Sequence, residues 1–173
     1  ILYLSAPDAQ GFVFSNDFMA VGLGLGTAFG AAVARPDRLT VLAPGDGGMM
    51  MSLGELETFI RYKVPFLVVV INDAAYGAEV HLLKNVGLPN DRAFFRDNDF
   101  AAIATAMGAQ GITVRSVGDL DQLRSWLDAP RGTMVLDCKV DPQLRGAWFG
   151  KVFDPDGWYQ RMCRSPSPFP LPR

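Results

Sequence analysis

Phe66 to Ile71 (FLVVVI) is an unbroken apolar run without alternation, which predicts a strand buried on both faces. Shorter apolar runs predict further strands at Gly11–Ser15, Leu39–Ala43, Gly111–Val114 and Thr133–Val140. Between them the period changes to that of a helix. Leu53, Leu56, Phe59 and Ile60 form one stripe within Met49–Tyr62, with Glu55, Glu57 and Arg61 off it. Met19–Ala34 is small and apolar, with Pro36 just beyond its end, and reads as a buried helix entered through a glycine-rich turn. Asp99–Met107 and Asp119–Asp128 read as helices, the second with Asp119 as its N-cap. Strands alternating with helices predict a doubly wound, mostly parallel α/β sheet with helices on both faces, because parallel neighbours need a crossover connection. Leu83–Asp97 reads as a long polar loop. Residues 1–142 are expected to form this domain and 143–173 a tail, whose proline-rich end is unsuited to fold alone.

With 173 residues, 49% of them hydrophobic and 20% charged, the chain has enough apolar material for a core. A formal net charge of −2, with no run of Lys or Arg, argues against nucleic acid as a partner. No apolar run is long enough to span a bilayer, and no basic segment followed by an apolar stretch opens the chain, so neither membrane nor secretory signal is expected. Cys138 and Cys163 have no metal-finger or C-x-x-C spacing, which fits a reducing, cytoplasmic compartment. Cys138 reads as a small core residue. A start at Ile1 rather than Met suggests part of a longer polypeptide.

The chemistry concentrates between Leu42 and Glu79. One strand runs into Gly45-Asp46-Gly47-Gly48, and a second runs into Asn72-Asp73-Ala74-Ala75-Tyr76-Gly77. Such sheets bind ligands beyond the carboxyl ends of their strands, where both loops fall. Asp46 and Asp73 offer carboxylate oxygens and Ala75 a backbone carbonyl, a set suited to Mg2+, which also takes phosphate oxygens and water. Gly47 and Gly48 admit a phosphate close to the backbone at the start of a helix, whose free N–H groups favour an anion. The Gly22–Gly30 glycine series superficially suits a dinucleotide, but no acidic residue ends the following strand; close helix packing accounts for it. Met49-Met50-Met51 reads as core.

At this spacing the two loops resemble the thiamine-diphosphate and magnesium motif of the acetolactate synthase and 2-oxoacid decarboxylase superfamily. Gly45-Asp46-Gly47 matches that motif in full, and Asn72-Asp73 stands where the family has a pair of asparagines. The resemblance implies Asp46, Asp73 and the Ala75 carbonyl as metal ligands, with Asp73 adding a negative charge. It implies that Gly45, Gly47, Gly48, Tyr76 and Gly77 help hold the diphosphate. Upstream, Met19-Ala20-Val21-Gly22-Leu23-Gly24 is similar to the segment that holds the aminopyrimidine ring. There the Met19 position gives a backbone carbonyl to the exocyclic amine, and the Val21 position wedges under the bent cofactor. The similarity covers roughly residues 10 to 140.

In the pyruvate-decarboxylase branch a catalytic glutamate stands at the position of Glu79, which implies a role in protonating or orienting the intermediate. A helix-start glutamate favoured by the macrodipole is the alternative for Glu79. His81 lies on a different helix face and is expected to point to solvent. The family also needs a glutamate from a pyrimidine-binding domain, and this chain has no second α/β unit to supply it. The resemblance therefore implies the diphosphate- and Mg2+-binding domain of an enzyme that cleaves or forms a carbon–carbon bond on a 2-oxoacid or related acyl donor, in a homo- or hetero-oligomer. The alternatives are one subunit of a two-chain decarboxylase, or a non-catalytic homologue retaining the fold. Leu83–Asp97 and Gln143–Tyr159, the latter with Trp148, Phe149, Phe153 and Trp158, are the segments expected to shape the substrate site.

Overall fold

The computed structural model describes residues 5–6, 8–14 and 20–145. In chain order these form α1 (Gly24–Ala34), β1 (Thr40–Leu42), α2 (Asp46–Met51), α3 (Leu56–Arg61), β2 (Phe66–Asn72), α4 (Gly77–Asn85), α5 (Phe100–Ala106), β3 (Gln110–Val114), α6 (Asp121–Asp128) and β4 (Thr133–Lys139). The four strands make one sheet in the order β1-β2-β4-β3, every pair parallel. β2 lies centrally, its Phe66–Asn72 backbone paired along its whole length with Thr133–Lys139 of β4. Its side chains reach the apolar cores on both faces of the sheet, which is why its sequence is continuously apolar.

One face of the sheet carries Phe66, Val68, Val70 and Val135, packed with Leu25 and Ala28 of α1, Leu56 and Phe59 of α3, and Phe100 and Ala104 of α5. Phe59 stacks on Phe66 with ring centroids 3.9 Å apart, and Phe29 meets Phe59 edge-on at 5.0 Å. Each buried ring of this kind contributes about 2–3 kcal/mol by area burial. The opposite face carries Leu67, Ile112, Met134 and Leu136 under Trp126 of α6, whose indole N–H donates to the Arg131 carbonyl at 3.2 Å. Helices therefore cover both faces, as the alternation of elements predicts.

Several boundaries differ from the sequence expectation. Residues 12–14 form no strand: Ala9–Gly11 is a 3-10 turn, and Phe12, Val13 and Phe14 are exposed with no ladder partner among the described residues. An apolar run becomes a strand only where a neighbouring backbone pairs with it. The Met19–Ala34 helix begins only at Gly24, because Gly22 turns the chain at φ +93°, a conformation favouring glycine. The long helix expected over Met49–Tyr62 is two helices, starting earlier at Asp46 and interrupted at Ser52 (φ −124°, ψ 18°) by a 3-10 turn over Leu53–Glu55. Ser52 and Gly54 are poor interior helix residues, and the Ser52 hydroxyl donates back to the Gly48 carbonyl at 3.4 Å. Of the three methionines only Met49 is core; Met50 and Met51 are exposed, since consecutive helical residues point about 100° apart.

Asp119 is not an N-cap. The helix begins later, at Asp121, and Asp119 lies in a 3-10 turn (Val117–Leu120) capped by Ser116, completing that turn's capping box by accepting from the Ser116 N–H at 2.8 Å. The expected Leu83–Asp97 loop surrenders residues 83–85 to α4 and contains a 3-10 turn at Asp91–Ala93. The tail from residue 146, including Trp148, Phe149, Phe153 and Trp158, lies outside the described residues, as does Cys163. Cys138 sits half-buried on β4. Gly111 on β3 lies directly against α5, where an added Cβ would collide with the Ala101 carbonyl oxygen. Backbone cannot swing aside as a side chain does. Gly111→Ala is therefore expected to lower stability by about 1–3 kcal/mol, measured by urea unfolding.

Candidate functional site

β1 and β2 are neighbours, so the loops that follow them are brought side by side. Gly45 bridges to Ile71, and the Ile71 N–H donates to the Pro44 carbonyl at 2.9 Å. Gly45 is extended (φ −71°, ψ 157°) and caps α2, which places Asp46 in the first helical position. Asp46 is only 2% exposed. Its Oδ1 accepts from the Gly47 N–H at 2.9 Å, while Oδ2 is buried with no hydrogen-bond partner. Burial pushes the Asp46 carboxyl up from 3.8 to about 6; the nearby Asp73 charge adds to this, and the N–H groups of Gly47, Ala74 and Ala75 oppose it. A buried carboxylate with an orphan oxygen, facing a second carboxylate, is a costly arrangement unless a cation completes it.

The second loop turns sharply at Ala74, whose φ of +55° is in the left-handed region. Asp73 Oδ1 accepts from the Ala75 N–H at 3.2 Å, and its Oδ2 fills the space where a Gly77 Cβ would stand. Ala75 is buried, and the residue after it, Tyr76, donates its N–H to the Ala93 carbonyl at 2.8 Å. The Tyr76 ring lies over Gly47, where an added Cβ would come within 2.6 Å of it, and meets Phe95 edge-on at 5.2 Å. Glycine at position 47 therefore makes room for the Tyr76 ring. On its other side Val21 approaches the Cβ position of Gly48 at 3.4 Å and is 56% exposed.

The fold thus gathers Val21, Gly45, Asp46, Gly47, Gly48, Asp73, Ala75, Tyr76 and Gly77 at one edge of the sheet. Met19 lies outside the described residues. Glu79 is exposed in the first turn of α4, one turn away from the Asp73 loop. His81 is half-buried rather than solvent-facing, and lines a shallow groove with Val80, Lys84 and Phe94. Among the described residues no group of three or more His, Cys, Asp or Glu side chains is placed to hold a metal. Two carboxylates and a carbonyl suit a cation that draws its remaining ligands from phosphate and water.

Sequence reading did not find the polar network beneath this edge. Asp137 on β4 is fully buried and accepts from the Asn72 side-chain amide at 2.8 Å, from the Phe100 N–H at 3.0 Å and from Lys139 at 2.9 Å. Lys139 also pairs with Asp97 and donates to the Asn98 carbonyl at 2.8 Å. Burial pulls the Lys139 ammonium down, but its bonds to Asp97 and Asp137 outweigh that and leave it raised. A lone aspartate inside the apolar Thr133–Val140 run was the signal available, since a buried charge requires partners.

These features define a parallel α/β ligand-binding domain whose polar loops meet at the carboxyl edge of the sheet. The chain belongs to the thiamine pyrophosphate enzyme family as its C-terminal TPP-binding domain, whose family model matches residues 2–138. It is 31% identical over 140 residues to the acetolactate synthase of Bacillus subtilis, covering 80% of this chain and 24% of that protein. It is 30% identical over 138 residues to the 2-hydroxyacyl-CoA lyase of Arabidopsis thaliana, covering 76% and 24% respectively. Among solved structures, the thiamine-diphosphate-dependent 4-hydroxybenzoylformate decarboxylase of Rhodococcus jostii RHA1 matches with a TM-score of 0.63 and 27% identity, over 70% of this chain and 23% of that one. The chain spans about a quarter of the length of these relatives. No helix among the described residues is long and apolar enough to cross a membrane.

Proposed function

We propose that this chain binds the diphosphate of thiamine diphosphate through Mg2+, within an enzyme that makes or breaks a carbon–carbon bond on a 2-oxoacid or related acyl donor. The observation that carries the reading is the buried Asp46 Oδ2, unpartnered and beside Asp73. Asp46, Asp73 and the Ala75 carbonyl would hold the cation. Gly45, Gly47 and Gly48, with the backbone at Tyr76 and Gly77, would receive the phosphates at the start of α2. Val21, exposed beside Gly48, would support the cofactor's bend, and the Met19 backbone carbonyl would accept from the exocyclic amine of its aminopyrimidine ring. When bound, the cofactor supplies a carbon nucleophile that accepts the electrons of the broken bond.

Glu79 is assigned a proton-handling role at the substrate, on the side a partner domain covers. A pyrimidine-binding domain or subunit would provide the activating glutamate and close the site, in an oligomer, and residues 1–142 form the unit that docks with it. The test is calorimetry of thiamine diphosphate with the full-length protein, with and without Mg2+. Binding that requires Mg2+ and disappears in Asp46→Ala is the expected result. An intact, folded protein that does not bind under either condition would overturn the reading and leave a homologue without the cofactor.

A further inference from the structure

Asn72 is the last residue of β2 and immediately precedes Asp73. Its amide is used at both ends. Oδ1 accepts from the Ala74 N–H at 3.2 Å, within the turn that Ala74 makes at φ +55°. Nδ2 donates to Asp137 Oδ1 at 2.8 Å and to the Asn98 carbonyl at 3.0 Å, with Asp97 Oδ1 at 3.4 Å. The amide accepts from the loop and donates to a buried carboxylate at the same time, which an ionised aspartate in its place could not do. A carboxylate at this position would face Asp137 without a proton to share.

Asp137 is in turn secured from the other side by Lys139, the cation that pairs with it directly. The Lys139 side chain is only 12% exposed and also holds Asp97 and the Asn98 carbonyl. It thereby ties the segment before α5 to the end of β4. The chain of contacts Lys139–Asp137–Asn72–Ala74 runs from this ion pair into the turn that presents Asp73 and Ala75. Its members come from β4, β2 and the turn after β2, so the turn is referenced to the sheet rather than to its own backbone alone.

We propose that Lys139 and Asp137 are positioning residues for the cation loop, acting through Asn72 to set where Asp73 and the Ala75 carbonyl stand. This rests on the reading of that loop as the Mg2+ site. Groups that orient metal ligands from behind characteristically change affinity by about 10–100-fold when altered. Loss of the Lys139 charge leaves the buried Asp137 carboxylate without its cation, so the carboxylate resettles and the Ala74 turn loses a fixed anchor through Asn72.

The experiment titrates thiamine diphosphate into the full-length protein across a series of Mg2+ concentrations, alongside thermal unfolding of the cofactor-free forms. Lys139→Met is expected to raise the Mg2+ concentration for half-maximal binding about tenfold, and Lys139→Arg to restore much of it. The double variant Asp137→Asn with Lys139→Met leaves no buried charge unpaired and carries the same test if Lys139→Met does not fold. A lowered unfolding temperature with an unchanged Mg2+ midpoint in a folded variant makes the network merely structural and overturns the proposal. In that case wild type still binds, Asp46→Ala still does not, and the cofactor reading stands. Absence of Mg2+-dependent binding in wild type removes the cofactor reading, and this inference goes with it.

Discussion

Asp46→Asn is expected to abolish Mg2+-dependent binding of thiamine diphosphate while making the cofactor-free protein more stable at pH 7. The two effects have one cause. Asp46 is 2% exposed, has one oxygen without a partner, and faces the charge of Asp73. Its carboxyl, raised to about 6 from 3.8, makes the charged form unfavourable in the folded state. Between these two values the folded protein holds more protons than the unfolded chain, so this group's contribution to stability falls as pH rises through that window and is fully lost above pH 6. At pH 7 the charge then costs about 2–3 kcal/mol, which a neutral amide of the same shape avoids.

The amide nitrogen also gains Asp73 as an acceptor nearby. Thermal unfolding of the cofactor-free forms at pH 7 and pH 5 reads this directly. The wild-type protein should gain on acidification relative to Asp46→Asn, and the two curves should converge near pH 4. In calorimetry, losing an anionic ligand from a site of two carboxylates should weaken Mg2+-dependent binding by at least roughly two orders of magnitude, which leaves no binding measurable at the concentrations used. A variant that is less stable than wild type at pH 7, with cofactor binding intact, contradicts both halves of the argument. A protein that keeps such a residue trades folding stability for a site a cation can complete.

Gly77→Ala is expected to separate folding from cation binding in the opposite way, by displacing a ligand rather than removing one. An added Cβ would overlap Asp73 Oδ2, and the three atoms nearest to it all belong to the Asp73 carboxylate. The obstacle is the end of a short side chain, so the carboxylate can rotate away and the fold survives. Alanine in the first turn of α4 is, if anything, favoured over glycine, by up to about 1 kcal/mol. The unfolding temperature should therefore hold or rise slightly. The Mg2+ concentration needed for half-maximal binding of thiamine diphosphate should increase about 10–100-fold, because Asp73 can no longer stand beside Asp46. Equal Mg2+ midpoints for Gly77→Ala and wild type would mean that Asp73 is not a ligand in its present orientation.

Much of the fold was legible in the residues. β2 was readable from its uninterrupted apolar run, and the parallel sheet from the alternation of periods, because burial on two faces and crossover connections leave those marks. Continuity within a helix was less legible. Met49–Tyr62 carries one apolar stripe across two helices, since the break at Ser52 keeps the stripe facing the core and periodicity cannot register it. Gly11–Ser15 has a strand's composition, yet residues 12–14 find no ladder among the described residues; pairing is a property of neighbours.

By itself the sequence determined the parallel α/β class and the two loop motifs, and through them the family to which the chain belongs. Local patterning suffices there, because strand ends, helix starts and glycine positions are written in consecutive residues. Only the tertiary structure decided that Asp46 is buried with an orphan oxygen, that Gly77 makes room for Asp73, and that Asn72 leans on Asp137 and Lys139. The last of these contacts joins β2 to residues 65 positions away on β4. Burial and long-range hydrogen bonding arise from packing the sheet, and no stretch of consecutive residues carries them.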